Sequence, residues 1–368
     1  MKSFDPTRYI NTNPAPLEPE AAYVPTHTFA DFKLAAALAA NVTAAGIVSP
    51  TPIQDQIIGH ILEGKDVVGL ANTGTGKTAA FLIPLIQLTL ADTDRQTLIL
   101  TPTRELALQI EGELRKLARG MGLFGCVIVG GTPIWPQIKN IKLKNHFVIG
   151  TPGRVLDLIN RHDFDTTHVT TVVLDEADRM LDMGFVADIR SIIKDIPKER
   201  GMLCFSATMQ AAVTALIKDF LKNPVTVSVK KQDVTANIVQ DVVRCSPAKK
   251  FETLRDLLAQ PEFTRVLVFG AMKHSVERLS KELTDAGIVA DSIHGNKSHV
   301  QRQRALKRFK EGQARVLVAT DVAARGIHVD GVTHVINYDL PTSYEDYVHR
   351  IGRTGRGANA GKALTFVH

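Results

Sequence analysis

The sequence predicts an α/β protein of two tandem units, each a mostly parallel sheet with helices on both faces. Three observations favour this fold class. Short apolar segments alternate with helical segments along most of the chain, which is typical of a parallel sheet. The alternation fades at residues 230–236 and then starts again. A glycine-containing loop stands between a strand and a helix in the first unit only, so we expect one ligand site that the second unit completes.

Composition limits the function classes. The chain has 368 residues, a formal charge of +6 and a pI of about 9.1, which allows two domains and is compatible with a polyanionic partner. Cys126, Cys204 and Cys245 lie far apart, which argues against a disulfide framework and a zinc site. No secretory signal opens the sequence, and the longest apolar run, residues 79–91, is too short to cross a bilayer. We therefore expect a cytoplasmic protein with no membrane segment.

The first unit is expected at residues 27–229, after a proline-rich lead at 1–26 that we expect to be disordered. A helix is predicted over 31–45, with Asp31 as its N-cap. Further along, strands are predicted at 66–70, 97–100, 126–129, 147–149, 171–174 and 202–205, with helices over 104–117 and 154–160.

A linker is expected at residues 230–236, and the second unit at 237–368. Its predicted elements are a strand at 266–269, helices over 274–285 and 300–309, and strands at 314–318, 334–337 and 363–368. The stretch 297–310 is strongly basic, which is typical of a solvated helix face.

Ala-Asn-Thr-Gly-Thr-Gly-Lys-Thr at residues 71–78 joins an apolar strand to a helix. This is the arrangement of a phosphate-binding loop, in which backbone N–H groups and the helix N-terminus face phosphate oxygens. Lys77 adds a point charge, and the Thr78 hydroxyl can hold Mg²⁺. The alternative is a tight turn with an exposed lysine, and Ala71 stands where the usual pattern has glycine. The nucleotide contacts expected from this loop are Thr73, Gly74, Thr75, Gly76, Lys77 and Thr78.

The second motif is acidic: Asp-Glu-Ala-Asp at residues 175–178 directly follows the predicted strand 171–174. The carboxyl ends of parallel strands face the ligand crevice of such folds. Asp175 is therefore placed to hold Mg²⁺ opposite the phosphate loop, and Glu176 to orient or deprotonate water. The alternative is an acidic cap of the next helix.

Asp-Glu-Ala-Asp with the upstream A-x-T-G-x-G-K-T loop resembles the DEAD-box RNA helicases of superfamily 2, a family that carries alanine at the position of Ala71. The resemblance continues in the same order across nearly the whole chain. It implies two RecA-like domains and an RNA-stimulated ATPase that closes on RNA. Such an enzyme unwinds short duplexes or remodels RNA–protein complexes. It implies ATP and Mg²⁺ as cofactors, RNA as a partner held through its backbone, and a monomer.

The resemblance also assigns residues. Phe29 and the stretch 50–54 resemble the adenine-reading Q motif, and the Gln54 amide has the donor and acceptors that adenine requires. Ser206, Thr208 and Asp178 resemble the motifs that couple hydrolysis to unwinding. The expected RNA contacts are Pro102, Thr103, Arg104, Gly131, Thr151, Gly153 and Arg154 in the first unit, with Gly295, Arg304 and Thr320 in the second.

Two segments of the second unit resemble nucleotide-site motifs. Gly326 and His328 belong to the first. The second is the arginine-rich sequence at 349–356, in which His349, Arg353 and Arg356 would act on the phosphates, with Arg353 and Arg356 as arginine fingers. The alternative for this second segment is a solvated basic loop.

The pattern departs from the family at two positions. His328 replaces an aspartate that contacts the ribose in the family, so we expect a weaker ATP-bound closed state and slower hydrolysis. Ile47 replaces an aromatic residue, which removes stacking on adenine. The family fold normally continues with a helix after the final strand, so we expect a truncated second domain. Trp135, the only tryptophan, is expected to pack rather than to stack on a base.

Three rival functions remain open. A nucleotide-gated RNA clamp would hydrolyse slowly and remodel nothing. A P-loop kinase would need a phosphorylated acceptor. DNA unwinding is a rival for the substrate, since no residue reads the 2′-OH unambiguously.

Overall fold

The computed structural model describes residues 23–71, 74–229, 238–324, 329, 331–355 and 361–367. The proline-rich lead through residue 22 and the predicted linker 230–236 lie outside the described residues. So do the site residues Thr73, Gly326, His328 and Arg356. The described residues form two compact units, one up to residue 229 and one from residue 238 onward.

The first unit alternates strands and helices. Its strands are β1 (Val67–Leu70), β2 (Gln96–Leu100), β3 (Gly125–Ile128), β4 (Phe147–Gly150), β5 (Val169–Leu174), β6 (Gly201–Ser206) and β7 (Val225–Ser228). Its helices are α1 (Ala36–Ala44), α2 (Pro52–Leu62), α3 (Lys77–Ala91), α4 (Arg104–Leu117), α5 (Ile134–Ile141), α6 (Pro152–Asn160), α7 (Ala177–Asp182), α8 (Val186–Asp195) and α9 (Ala211–Phe220).

Within the described residues, the first sheet has the order β3-β4-β2-β5-β6-β1-β7 and all its strand pairs are parallel. Neighbouring residues of one strand enter different cores. Val67 packs in the cluster on one face and Val68 in the cluster on the other. Because successive side chains point to opposite faces, burial of both requires helices on both sides.

The second unit repeats this architecture. Its strands are β8 (Ile238–Arg244), β9 (Val266–Phe269), β10 (Ala290–Ile293), β11 (Val316–Ala319), β12 (His334–Asn337) and β13 (Gly361–Val367). Its helices are α10 (Lys250–Leu258), α11 (Lys273–Asp285), α12 (His299–Lys310), α13 (Asp321–Ala324) and α14 (Tyr344–Ile351). In the described part of this unit the order is β10-β11-β9-β12-β13-β8, again parallel. The predicted fold class, two parallel α/β units, is confirmed.

The start of the first helix was predicted wrongly. The helix begins at Ala36, and Ala35 is its N-cap. The Asp31 carboxylate instead accepts hydrogen bonds from the Thr28 N–H at 2.6 Å and the Thr28 hydroxyl at 2.8 Å. Short polar side chains cap turns as readily as helices, so Asp31 closes a turn ahead of the helix.

Residues 79–91 belong to a buried helix, α3, as the sequence predicted. In the part of the chain that the structure describes, no helix is both long enough and apolar enough to span a membrane.

Candidate nucleotide and RNA site

The sheet order of the first unit sorts the predicted site residues into two groups. All its described strands are parallel, so their carboxyl ends share one edge of the sheet. The loops after β1, β5 and β6, which are neighbours, carry the predicted nucleotide and coupling residues. The loops after β3, β4 and β2, also neighbours, carry the predicted RNA residues of this unit. The tertiary structure therefore brings together stretches that are far apart in sequence.

The phosphate loop leads from β1 into α3. Gly74 and Gly76 have φ of +86°, a left-handed conformation that favours glycine. Lys77 is only 6% exposed, and its Nζ donates a hydrogen bond to the Ala71 carbonyl at 2.9 Å. The lysine therefore reaches back across the loop, which excludes the alternative of a turn with an exposed lysine. Thr75, just before α3, and Thr78, in its first turn, are partly buried.

Gln54 ties the Q-motif stretch to this loop. Its side chain is 2% exposed. The amide Nε2 donates to the Gly76 carbonyl at 3.1 Å, and Oε1 accepts from the Thr51 N–H at 3.0 Å. A Cβ on Gly76 would come within 2.6 Å of the Gln54 Nε2, so the close contact requires glycine. Because an amide has a second N–H and a second lone pair, it keeps one donor and one acceptor for a base.

Asp55, the next residue, was not found by sequence reasoning. Its buried carboxylate accepts hydrogen bonds from the Tyr23 hydroxyl at 2.5 Å, from the Thr26 N–H at 2.7 Å, and from His27 through its N–H and Nδ1. Burial alone would raise the pKa of Asp55, but the hydrogen bonds from Tyr23, Thr26 and His27 hold this pKa below its ordinary value. The clasp anchors the segment that leads to Phe29.

Phe29 itself is partly buried against the core of the first unit, and its ring meets the Phe32 ring edge-on with centroids 6.3 Å apart. Ile47, the departure from the family pattern, also packs against this core. The only sequence signal for the Asp55 clasp is an acid in the first turn of α2, which is common in helices that bind nothing.

Asp175 and Glu176 follow β5 and are buried, 3% and 7% exposed. Burial, reinforced by the neighbouring charge of Glu176, raises the pKa of Asp175 to about 6, although Lys77 opposes the shift. Glu176 adopts a left-handed conformation with φ of +52°. Its Oε2 accepts a hydrogen bond from Arg179 Nη1 at 2.5 Å. A left-handed backbone is strained at a residue other than glycine, and such strain is common at functional sites.

Asp178 connects this acidic motif to the loop after β6. Its Oδ2 accepts from the Ala207 N–H at 3.1 Å, and from the Thr208 N–H and hydroxyl at 2.8 Å each. The Ser206 hydroxyl donates to the Thr208 carbonyl at 2.7 Å. The predicted coupling residues therefore form one hydrogen-bonded unit.

The residues expected on RNA in the first unit lie around a second loop system. The Arg104 guanidinium lies against Gly131, whose φ is +68°. Arg154 donates to the Thr132 carbonyl through both terminal nitrogens, at 3.3 and 3.4 Å. Thr103 caps α4 by accepting from the Leu106 N–H, as a threonine at that position commonly does.

Other expected RNA residues line the same loops. Thr151 is the N-cap residue of α6 and is 9% exposed, and Gly153 lies in the first turn of that helix. Pro102 is buried between β2 and α4. Gln137, which sequence reasoning missed, binds Val129 on both sides of its amide and donates to the Thr132 hydroxyl at 2.7 Å. It fixes the glycine loop to the start of α5.

The packing predicted for Trp135 is wrong. Its side chain is 73% exposed at the first turn of α5. The neighbouring Gln137 and Ile138 carry the buried face of this short helix, so its geometry leaves the indole outside.

In the second unit, Thr320 and Gly295 follow the neighbouring strands β11 and β10. Thr320 is 8% exposed, and its carbonyl accepts from the N–H groups of Ala323 and Ala324. Gly295 lies beside the Lys273 side chain, where an added Cβ would stand 3.4 Å from Nζ. Arg304 is exposed on α12.

The residues of the arginine-rich segment differ in burial: one arginine is fully buried in an ion pair, and two other residues are partly buried. Arg350 is 2% exposed and forms a bidentate pair with Asp321, Nε to Oδ1 at 2.5 Å and Nη2 to Oδ2 at 2.7 Å. His349 and Arg353 are partly buried, and Arg353 Nε donates to the His349 carbonyl at 3.2 Å. Sequence reasoning did not separate Arg350 from its neighbours, because arginines in one motif look alike before their surroundings are known.

The residues of the first unit fit a magnesium nucleotide. Asp175 is a buried carboxylate whose pKa is raised, so a nearby cation would favour its charged form. Among the described residues, no cluster of three or more His, Cys, Asp or Glu side chains could cage a metal ion. Mg²⁺ characteristically binds one or two protein oxygens together with phosphate oxygens. Thr78 and Asp175 would supply such oxygens, and a bound Mg²⁺ would neutralise phosphate charge.

A phosphate loop with a buried Asp-Glu pair, on a parallel sheet covered by helices on both faces, defines a P-loop nucleoside triphosphatase. The DEAD/DEAH box helicase model matches residues 51–216, and the helicase conserved C-terminal domain model matches residues 249–358. The chain belongs to the DEAD-box family of ATP-dependent RNA helicases, which confirms the resemblance and the enzyme class predicted from sequence.

Proteins similar to this chain occur in bacteria, archaea and eukaryotes. ATP-dependent RNA helicase CshA of Listeria monocytogenes is 45% identical over 92% of this chain, and CshA of Bacillus subtilis is 45% identical over 93%. The chain spans 66% and 70% of the lengths of these two relatives. A DEAD box protein from Methanococcus jannaschii is 39% identical, with 94% of each chain covered and a TM-score of 0.55. Dbp5 of S. cerevisiae bound to RNA and ADP BeF3 is 32% identical, covering 93% of this chain and 89% of that one, with a TM-score of 0.80.

Proposed function

We propose that this protein hydrolyses ATP when it binds RNA and that it locally unwinds short RNA duplexes or remodels RNA–protein complexes. The observation that carries the proposal is the layout of the first sheet. The residues assigned to the nucleotide and to coupling follow β1, β5 and β6, and those assigned to RNA follow β3, β4 and β2, so two ligands can bind neighbouring halves of one edge. The similarity to Dbp5 bound to RNA and ADP BeF3 supports the same pair of ligands for this chain.

In the proposed nucleotide site, the loop glycines and Thr75 surround the phosphates, while Lys77 exchanges the Ala71 carbonyl for a phosphate oxygen. Gln54 pairs with adenine through its remaining donor and acceptor. Thr78 and Asp175 hold Mg²⁺. Glu176 orients the attacking water as general base.

On the RNA side, Arg104 and Arg154 would bind phosphates together with backbone groups near Gly131 and Gly153. Contacts of this kind position a strand without reading its sequence. Thr151, Thr320, Gly295 and Arg304 would extend the contact. Closure of the two domains on RNA would then bring Arg353 and Arg356 to the phosphates, with His349 and the Asp178–Thr208 unit relaying between the ligands. Ser206 and Thr208 make the relay sensitive to the state of the nucleotide site through Asp178.

ATPase assays with and without single-stranded RNA, duplex RNA and DNA test the proposal. Lys77→Ala and Glu176→Gln should each lower RNA-stimulated turnover by about 100-fold or more. Lys65→Ala is the matched control, since Lys65 is exposed and pairs with exposed Glu63. Wild-type turnover that RNA does not stimulate, or either variant with full turnover, would refute the assignment.

A second candidate, an ATP-gated RNA clamp with weak hydrolysis, rests on His328 in the sequence. A histidine is bulkier than aspartate and only partly charged near neutral pH. Strand displacement of a short RNA duplex discriminates the two functions. In ATPase assays, His328→Asp should lower the KM for ATP or raise kcat. Equal constants in both proteins would remove the support that His328 gives to the clamp.

We also infer that the protein acts as a monomer in the cytoplasm, where ATP and RNA are both available. Burial raises the pKa of the Cys126 and Cys204 thiols to about 12, so both stay protonated and unreactive. Such thiols are compatible with a reducing compartment.

A further inference from the structure

Trp135 is the largest exposed aromatic side chain near the proposed RNA loops. It is the only tryptophan of the chain, and 73% of its surface is accessible. Leaving an indole in water forgoes the burial that aromatic residues normally gain. An indole held at this exposure is therefore available to a ligand.

The surroundings of Trp135 connect it to the loops assigned to RNA. Three residues before it, the Thr132 carbonyl accepts hydrogen bonds from Arg154. One residue earlier, Gly131 lies against the Arg104 guanidinium. The exposed indole thus lies within four residues of a loop that contacts two arginines suited to phosphate.

The helix also offers a charge on the same side. Lys139 lies four residues after Trp135 on α5 and is exposed, so the two side chains share one face. Proteins that bind single-stranded nucleic acids combine aromatic rings with basic groups. The ring stacks on a base, and the cations contact the phosphate backbone.

The backbone that carries Trp135 is anchored to the neighbouring glycine loop by Gln137. Gln137, 7% exposed, accepts from the Val129 N–H at 2.9 Å and donates to the Val129 carbonyl at 3.1 Å. Its bond to the Thr132 hydroxyl ties the glycine loop to the helix start. A stacking ring that is preorganised loses less entropy when a base binds.

We propose that Trp135 is a base-stacking site for a single-stranded segment of bound RNA, next to the phosphate contacts of Arg104 and Arg154. The inference rests on the proposed RNA binding of the first unit. Stacking needs only a π-face, so the site would accept any base and extend the bound strand without adding sequence preference. Lys139 would contact the adjoining phosphate.

Because the chain has one tryptophan, its fluorescence reports on this site directly. The full chain is titrated with oligoadenylate RNA in the presence of a non-hydrolysable ATP analogue. Binding is followed in parallel by the anisotropy of a labelled RNA. We expect the indole emission to be quenched at the RNA concentrations at which anisotropy rises. An oligonucleotide of the same length with abasic positions should bind more weakly and should not quench.

Variants measured by anisotropy complete the test. Trp135→Ala should weaken RNA binding roughly 5- to 100-fold, whereas Trp135→Phe should retain most of the affinity. Phe124→Ala is the matched control, because Phe124 is 60% exposed but precedes β3, at the opposite end of that strand from Gly131. Thermal unfolding of each variant excludes a folding defect.

The outcomes are distinguishable. Binding by anisotropy without a change in indole emission would overturn the stacking site and leave the proposed function standing. So would an unchanged affinity of Trp135→Ala, or quenching by the abasic strand. Absence of RNA binding by the wild type would instead refute the proposed function.

Discussion

Asp178 accepts hydrogen bonds from both the backbone N–H and the hydroxyl of Thr208, each at 2.8 Å. The last acid of the Asp-Glu-Ala-Asp sequence is therefore fastened to the loop after β6. Asp178 is 4% exposed, so these bonds are made away from competing water. We therefore expect a displacement of the acidic motif to be passed on to this loop.

Thr208→Val tests this connection, since it removes the hydroxyl and keeps the shape of the side chain. One hydrogen bond to a charged acceptor is lost, at a cost of about 1.5–3 kcal/mol. We expect RNA-stimulated ATPase to change by less than about threefold, while strand displacement falls by about tenfold or more. Thr214→Val is the control, because the exposed Thr214 hydroxyl donates to the Gln210 carbonyl at the start of its own helix. Equal losses of the two activities would contradict a coupling role.

Asp175 gives a prediction about pH. Its folded-state pKa of about 6 lies above the ordinary value of 3.8, so the folded protein retains a proton that the unfolded chain has released. This contribution to the free energy of unfolding, about 3 kcal/mol, is present below pH ~4 and is lost as the pH rises through about 6. Without nucleotide, Asp175→Asn should therefore gain stability relative to the wild type between pH 4 and 7.

Denaturant unfolding of both proteins across this pH range measures the difference. Curves that run parallel would mean that Asp175 does not titrate there. Since Mg²⁺ requires the ionised carboxylate, wild-type affinity for magnesium nucleotide should also fall as the pH drops below about 6, by up to about tenfold per pH unit.

Gln54→Glu examines the contact between the Q-motif stretch and the phosphate loop. The substitution keeps an acceptor for the Thr51 N–H and removes the donor to the Gly76 carbonyl, which would then face a buried carboxylate. We expect the Kd for ATP to rise by about tenfold or more, with a smaller preference for ATP over GTP. Gln260→Glu, which makes the same change at an exposed position of the second unit, is the control. Nucleotide titrations measure the Kd for ATP and for GTP. An unchanged ratio of the two Kd values would contradict the adenine-reading role of Gln54.

Arg350→Lys should destabilise the second unit. A lysine cannot form the bidentate pair with Asp321, and it would also lose the position of the guanidinium 5.1 Å from the Phe269 ring centre. Removing one partner of a buried pair costs about 3–5 kcal/mol. Since lysine keeps the charge and the Asp321 side chain is 27% exposed, we expect Arg350→Lys to cost less, about 2 kcal/mol. Arg255→Lys, in an exposed pair with Asp256, should cost about 1 kcal/mol or less. Calorimetry measures the Tm of the two variants and of the wild type. Similar shifts of Tm in both variants would show that the Arg350–Asp321 pair does not stabilise the second unit.

The sequence alone determined the class of fold and the identity of most candidate site residues. Alternation of strands and helices follows from local periodicity, and the phosphate loop depends on a few adjacent residues whose chemistry is local. The acidic motif could be found in the same way. The predicted strands at residues 97–100, 171–174 and 266–269 fall within β2, β5 and β9 for this reason.

The tertiary structure decided how those residues are used. Periodicity could not order the strands, and it is the order β3-β4-β2-β5-β6-β1-β7 that separates the loops proposed to bind nucleotide from those proposed to bind RNA. Contacts between residues distant in sequence, such as Asp55 with Tyr23 or Arg350 with Asp321, depend on packing that no local pattern encodes. Trp135 was predicted to pack because tryptophan usually does, and only the placement of a short helix leaves it in solvent. Local sequence patterns thus identify the candidate side chains, whereas the burial and contacts of each side chain, which depend on tertiary packing, determine what it can do.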